Sequence, residues 1–138
     1  MKIVRQGSAN WQGTGMEGSG TVSTQSKTLD GAKLSFKSRF DNQAGTNPEE
    51  LVGAAHAGCY SMKLSFVLAE LGYIATSIDT VATVTLEDSG ISSIHLEVNA
   101  QIQNMTDAQF QEAALNAKEN CPISKLLNTS ITLKATLV

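Results

Sequence analysis

The sequence predicts an α+β fold in which antiparallel sheet packs on a long central helix. Two features predict it. Short alternating segments crowd the N-terminal third before strands and helices alternate unevenly, and one helical segment is apolar around most of its circumference. At 138 residues the chain suits a single domain spanning 1–138, large enough to bury most of the apolar surface that its unfolded form exposes.

The elements follow in order. "KIVRQ" and "ANWQG" read as short mixed strands, and the glycine-rich stretch Gly13 to Gly20 as a loose hairpin connection. "TVST" and "AKLSFKS" are the next strands, the second alternating Leu34 and Phe36 against Lys33, Ser35 and Lys37, with Arg39 at its end. A helix then starts at Asn47 as N-cap, with Pro48 at the first helical position, where its missing N–H costs nothing, and Glu50 placed to close a capping box. It runs to about Leu71 and stops at Gly72. Leu51, Val52, Ala55, Met62, Phe66 and Val67 cover most of this helix, so burial on nearly all sides is expected. One chain of this size struggles to wrap such a helix, which points to an intimate homodimer.

Beyond it, "DTVATVTLE" forms a strand, with "DSG" as its turn to the next. In that next strand Ile94, Leu96, Val98, Ala100 and Ile102 face one way and His95, Glu97, Asn99 and Gln101 the other. Thr106 with Gln109 opens a second helix that runs to about Asn120. "CPIS" starts a short third one, with Cys121 as N-cap and Pro122 next, and "SITLKATLV" closes the chain as a strand.

Composition narrows the function classes. The chain is 41% hydrophobic and 17% charged with two prolines, the profile of an ordered globular protein. A net charge of -3, with no basic run or Lys/Arg stripe, argues against nucleic acid as a partner. The N-terminus lacks the apolar core of a signal peptide, and no apolar stretch is read as approaching the roughly 20 residues of a membrane span, so a cytoplasmic location with no membrane partner is expected. There two cysteines stay reduced, which favours redox cycling or metal binding over a permanent disulfide.

The chemistry gathers around "TNPEELVGAAHAGCYSM", which places Cys59 in a run from Leu51 to Met62 without one Asp, Glu, Lys or Arg. A buried free cysteine is often only a small hydrophobe. Cys121, at a helix N-terminus, faces unpaired N–H groups that favour thiolate. If the fold brings the two together, they can close a disulfide reversibly. His56, three residues before Cys59, shares its helix face as a base, a metal ligand or, more commonly, a core histidine hydrogen-bonded to backbone. With His95 the set Cys2His2 would suit zinc, but no close Cys-x2-Cys or His-x3-His spacing supports it.

Glu49 is left free by the capping box, yet it lies ten residues from Cys59, about 15 Å along a helix axis. One helix cannot bring both to one small substrate, whereas two antiparallel helices in a dimer can. Arg39 can stabilise a Cys59 thiolate, and Glu49 can hold that arginine through a bidentate pair.

These residues carry a resemblance. "TNPEELVGAAHAGCYSM" and "ENCPIS" resemble the two cysteine motifs of the osmotically inducible protein C (OsmC) family, relatives of the organic hydroperoxide resistance proteins. "ANWQG", "GTVSTQS", "SRFDN", "TSIDTVATVTL" and "ITLKATL" extend the resemblance to the OsmC branch over nearly the whole chain. Gly58 departs from the pattern, standing where the family often has alanine.

The resemblance implies an intertwined homodimer, with antiparallel sheets wrapped around long central helices and active sites at the subunit interface. It implies a thiol peroxidase that reduces organic hydroperoxides, and hydrogen peroxide less well, with no metal, haem or flavin cofactor, and that is reduced again by an external dithiol of the lipoyl type. By motif position Cys59 resembles the peroxidatic cysteine and Cys121 the resolving one, with Arg39 and Glu49 of one chain serving Cys59 of the other. Helix electrostatics alone would have favoured Cys121 as the nucleophile. Two rival readings remain: a non-catalytic dimer that binds a hydrophobic ligand, indifferent to replacing both cysteines by serine, and a zinc module that a chelator would unfold.

Overall fold

Strands form early where alternation predicts them. The computed structural model describes all residues, Met1–Val138, and the chain divides into two units, Met1–Leu51 and Val52–Val138. In the first unit β1 (Gly7–Gln12), β2 (Ser19–Thr24) and β3 (Ala32–Ser35) make an antiparallel sheet in the order β1-β2-β3. The turn between β1 and β2 requires glycine at position 18, where a Cβ would overlap the carbonyl oxygens of Gln12 and Thr14.

The strand expected to include Phe36 stops at Ser35. The Ser35 hydroxyl accepts from the Ser38 amide, and the Ser38 hydroxyl accepts in return from the Ser35 amide. This capping box turns the chain into the short helix α1 (Phe36–Phe40), so Arg39 lies on a helix rather than at a strand end. Within this unit Ser38 alone is buried, while Trp11, Met16 and Phe40 stay exposed.

The long helix α2 (Pro48–Glu70) begins where its cap predicts. Asn47 Oδ1 accepts from the Glu50 amide at 2.8 Å, but the Glu50 carboxylate takes the Thr46 hydroxyl at 2.6 Å and leaves the capping box half closed. The helix ends in a Schellman arrangement, with Tyr73 N–H donating to Leu68 and Gly72 N–H to Ala69, and Gly72 in the left-handed region at φ 85°. At 23 residues, with its few charges near its ends and at Lys63, α2 is long and apolar enough to cross a membrane by length and composition, although no apolar stretch of that length was expected. A core helix meets the same description, and Tyr60, Leu64 and Leu68 of α2 are fully buried.

Burial of α2 is not all-round in the single chain. Gly53, His56, Tyr60, Leu64, Val67 and Leu68 form one buried stripe, whereas Met62 and Phe66 are 64% and 60% exposed. The buried side lies close on the second sheet: a Cβ at Gly53 would meet the Ala82 carbonyl oxygen at 3.2 Å.

That second sheet has the order β4-β5-β6, from β4 (Ala75–Glu87), β5 (Gly90–Ile102) and β6 (Ser130–Leu137). As its alternation predicts, β5 buries Ile94, Leu96, Val98, Ala100 and Ile102. β4 and β5 pair antiparallel, but β5 and β6 pair parallel, so the sheet is mixed where antiparallel pairing alone was expected. The reason is the connection: α3 (Asp107–Asn120) and α4 (Pro122–Leu126) intervene between β5 and β6 and provide the crossover that parallel strands need. α3 is capped by Thr106 and Gln109, and its Phe110, Ala113, Ala114 and Ala117 complete the core with α2 and β5.

Candidate active site

Arg39 and Glu49 are joined within the first unit. Arg39 Nη2 donates to Glu49 Oε1 at 2.7 Å, while Nε lies 3.0 Å from Oε1 and 3.3 Å from Oε2, so the guanidinium grips both carboxylate oxygens. Ser38 makes this possible. Its hydroxyl donates to the Thr46 carbonyl at 2.9 Å, and its own carbonyl accepts from Asn47 Nδ2, tying α1 to the cap of α2. Gly45, at φ 130°, lets the chain pass close beneath, since a Cβ there would lie 2.8 Å from the Lys33 carbonyl oxygen.

Burial pushes the Glu49 carboxyl upward, but the Arg39 hydrogen bonds, its own backbone amide and the Arg39 charge outweigh this and hold it below the ordinary carboxylate range. Beside the pair lies a cavity of about 280 Å³ lined by Trp11, Leu34, Phe36, Phe40 and Pro48 as well as Arg39. The Arg39 guanidinium stands 5.1 Å from the Phe40 ring centre. An anchored cation with apolar walls on several sides is the result.

The two cysteines meet in the second unit. Cys59 is partly buried on α2, and Cys121, fully buried, ends α3 through its amide to the Ala117 carbonyl and starts α4 through its carbonyl to the Lys125 amide. Both are free thiols, and Cys59 packs against the buried cluster that contains Cys121, near enough for the two thiols to act on one another. Desolvation pushes the Cys59 thiol above its ordinary range, the Ile123 backbone opposes this, and Cys121 adds to it. The influences that raise the Cys59 pKa outweigh the backbone of Ile123, the one influence that favours the reactive thiolate.

The histidines separate. His56 is fully buried, with Nε2 2.8 Å from Ser124 Oγ and Nδ1 without a partner, and burial lowers its pKa from the ordinary value of 6.5. It is thus a core histidine as its commonest role predicts, although its partner is a side chain and not backbone. His95 lies on the polar face of β5 with Nδ1 2.6 Å from Thr132 Oγ1.

Sequence reasoning brought out Arg39, Glu49, Cys59 and Cys121 but missed Ser38, the Ile123 amide and Ser124. For Ser38 a signal existed in the Ser-x-x-Ser spacing of a capping box. Ser124 offers none, because only the tertiary fold brings it to His56.

Known proteins share both sequence and fold with this chain. Residues 40–136 match the family model for OsmC-like protein. Peroxiredoxin OsmC of Escherichia coli (strain K12) is 44% identical over 137 residues, covering 96% of each chain. Organic hydroperoxide resistance protein OhrB of Bacillus subtilis (strain 168) is 27% identical over 86% of this chain and 88% of its own. Among solved structures, an OsmC-like protein from Mycoplasma pneumoniae superimposes with a TM-score of 0.79 at 15% identity, covering 100% of this chain and 99% of that one. The B. subtilis OhrB structure gives 0.65 at 22% identity over 96% and 98%. With most of its length inside the family model and a near-full-length relative at 44% identity, the chain belongs to the OsmC family.

Proposed function

We propose that this protein is a cysteine-based peroxidase that reduces organic hydroperoxides to alcohols, and hydrogen peroxide less well. The observation that carries the reading is the thiol pair: Cys59, partly accessible, packed beside a Cys121 that solvent does not reach. The names of the E. coli and B. subtilis relatives support peroxide as the substrate class.

The first step is attack of the Cys59 thiolate on the distal peroxide oxygen. A sulfur–oxygen bond forms as the oxygen–oxygen bond breaks, sulfur is oxidised, and the departing alkoxide takes a proton and leaves as the alcohol. Cys59 meets the peroxide because its sulfur is the accessible one of the pair. Next, the Cys121 sulfur bonds to the Cys59 sulfenic sulfur and the hydroxyl leaves with the Cys121 proton as water, giving a disulfide. An external dithiol, of the lipoyl type, restores both thiols by two exchanges and is itself oxidised to a disulfide. Neither step uses a metal or organic cofactor.

A cation beside Cys59 would favour its thiolate over the thiol that burial favours. In the proposed assembly one chain's single OsmC-like domain, 1–138, intertwines with a second copy, and the Arg39–Glu49 pair of each chain serves Cys59 of the other. Two features support a homodimer: the exposed Met62 and Phe66 of α2, and a first unit that buries only Ser38. A cytoplasmic setting would keep both thiols reduced between turnovers.

The test is to mix reduced protein with cumene or tert-butyl hydroperoxide and count thiols against peroxide consumed, with Cys59→Ser and Cys121→Ser in parallel. Two thiols lost per peroxide in the wild type, no reaction in Cys59→Ser and a trapped sulfenic acid in Cys121→Ser are expected. Survival of the wild-type thiols alongside unconsumed peroxide would sink the proposal and favour a ligand-binding dimer whose cysteines only pack.

A further inference from the structure

Two contacts of the same spacing cross between α2 and the turn that opens α4. Cys59 and Ile123 pack against the buried cluster that contains Cys121; three residues earlier on α2, His56 meets Ser124, three residues after Cys121. The second contact is buried on the histidine side, where the ring has no exposed surface and Nδ1 has no partner. That orphan decides the tautomer. If Nε2 carries the proton and donates to Ser124 Oγ, Nδ1 keeps only an unpaired lone pair; the opposite tautomer would bury an unpaired N–H, which is rarer in folded proteins. The hydrogen-bond pattern thus favours the neutral ring with Nε2–H toward Ser124.

α4 needs such a contact. It has only five residues, too few to sustain a helix alone, its N-cap Cys121 makes no side-chain cap hydrogen bond, and Lys125 and Leu126 are exposed. What fastens it is the packing of Ile123 and Leu127 on the core and the hydrogen bond between His56 and Ser124. For packing alone an apolar side chain at position 56 would serve, without burying a ring nitrogen that finds no partner.

We propose that His56 and Ser124 are positioning residues for the second half of the reaction: they clamp the Cys121 turn onto α2 and thereby set how fast Cys121 resolves the Cys59 sulfenic acid. This rests on the order of roles given under the proposed function. In the step concerned, the Cys59–OH and Cys121–H bonds break, the sulfur–sulfur bond forms and water leaves. The clamp contributes proximity to this step and exchanges no proton or electron with it. A turn held in place closes the disulfide before a second peroxide can carry the sulfenic acid on to sulfinic acid.

The experiment follows the two steps separately in rapidly quenched mixtures of reduced protein and tert-butyl hydroperoxide, by mass spectrometry with a sulfenic-acid trap. Ser124→Ala should form sulfenic acid at the wild-type rate but close the disulfide about fivefold more slowly, the factor that ~1 kcal/mol for one hydrogen bond corresponds to. It should also accumulate more sulfinic acid at excess peroxide, and Ser124→Thr, which keeps the hydroxyl, should restore closure. Should Ser124→Ala fold poorly, the comparison moves to position 56, where Gln keeps an N–H donor and should close the disulfide faster than Leu. Unchanged closure in Ser124→Ala, or equal closure in His56→Gln and His56→Leu, overturns the clamp alone. Wild-type thiols that survive peroxide overturn the proposed function and the clamp with it.

Discussion

Arg39 illustrates how a residue's neighbours set what a substitution does. Two of its nitrogens reach the Glu49 carboxylate, and lysine cannot reproduce that fork. Because Arg39 is 38% exposed, Arg39→Lys should cost under about 1 kcal/mol of stability. If the guanidinium positions the peroxide or the Cys59 thiolate, the same change should lower kcat/KM for cumene hydroperoxide about a hundredfold, the scale of a misplaced catalytic group. Steady-state peroxide consumption beside a urea titration separates the two effects. The pair itself tolerates acid: with the Glu49 carboxyl held below its ordinary 4.5, its contribution is complete above that pH and is lost only as pH falls through the lower folded value. His56 acts in another window. Its folded pKa lies below 6.5, so the unfolded chain binds the proton first, and stability is complete above pH 6.5 and declines as pH falls from there toward the folded value. Urea midpoints at pH 7.5 and 5.5 should differ by less in His56→Gln than in the wild type; an equal difference would remove His56 as the cause.

At the scale of elements, legibility followed the reach of each signal. Caps are local, so Asn47 with Pro48, Thr106 with Gln109, and Gly72 located three helix ends to within a residue or so. Strict alternation in β5 named its inward face because only one register buries five apolar side chains together. Alternation also misled at Phe36, where the pattern of a strand persisted while the Ser35–Ser38 box had already turned the chain. Period-2 patterning names a face but not a neighbour's direction, which is why parallel pairing of β5 with β6 went unread despite the two helices between them. The site divided in the same way. Arg39, Glu49, Cys59 and Cys121 sit in motifs that can be quoted as words of sequence, whereas Ser124 matters only through a partner far away in the chain.

Taken as a whole, the molecule buries its apolar residues unevenly. Every buried hydrophobic side chain lies between Tyr60 and Cys121, and the first unit contributes only Ser38. A second copy seated on the exposed face of α2 that carries Met62 and Phe66 would reduce that imbalance. Phe66→Glu would place a charge in such an interface without touching either cysteine motif, so it should convert the proposed dimer to monomer or to a species whose Tm rises with protein concentration. Light scattering across a dilution series reads this directly, and a mutant that stays dimeric at all concentrations would move the interface elsewhere.

The near-absence of burial in Met1–Leu51 has a further consequence if the arginine arrives from a second chain. Below the dimer dissociation constant, the number of competent sites would grow with the square of chain concentration, and above it only in proportion. A cell that doubles a scarce pool of this protein would then gain up to fourfold in peroxide-clearing capacity, by mass action on dimer formation. Synthesis level would thereby act as an amplifier, and the gain would come from the portion of the chain least able to bury itself.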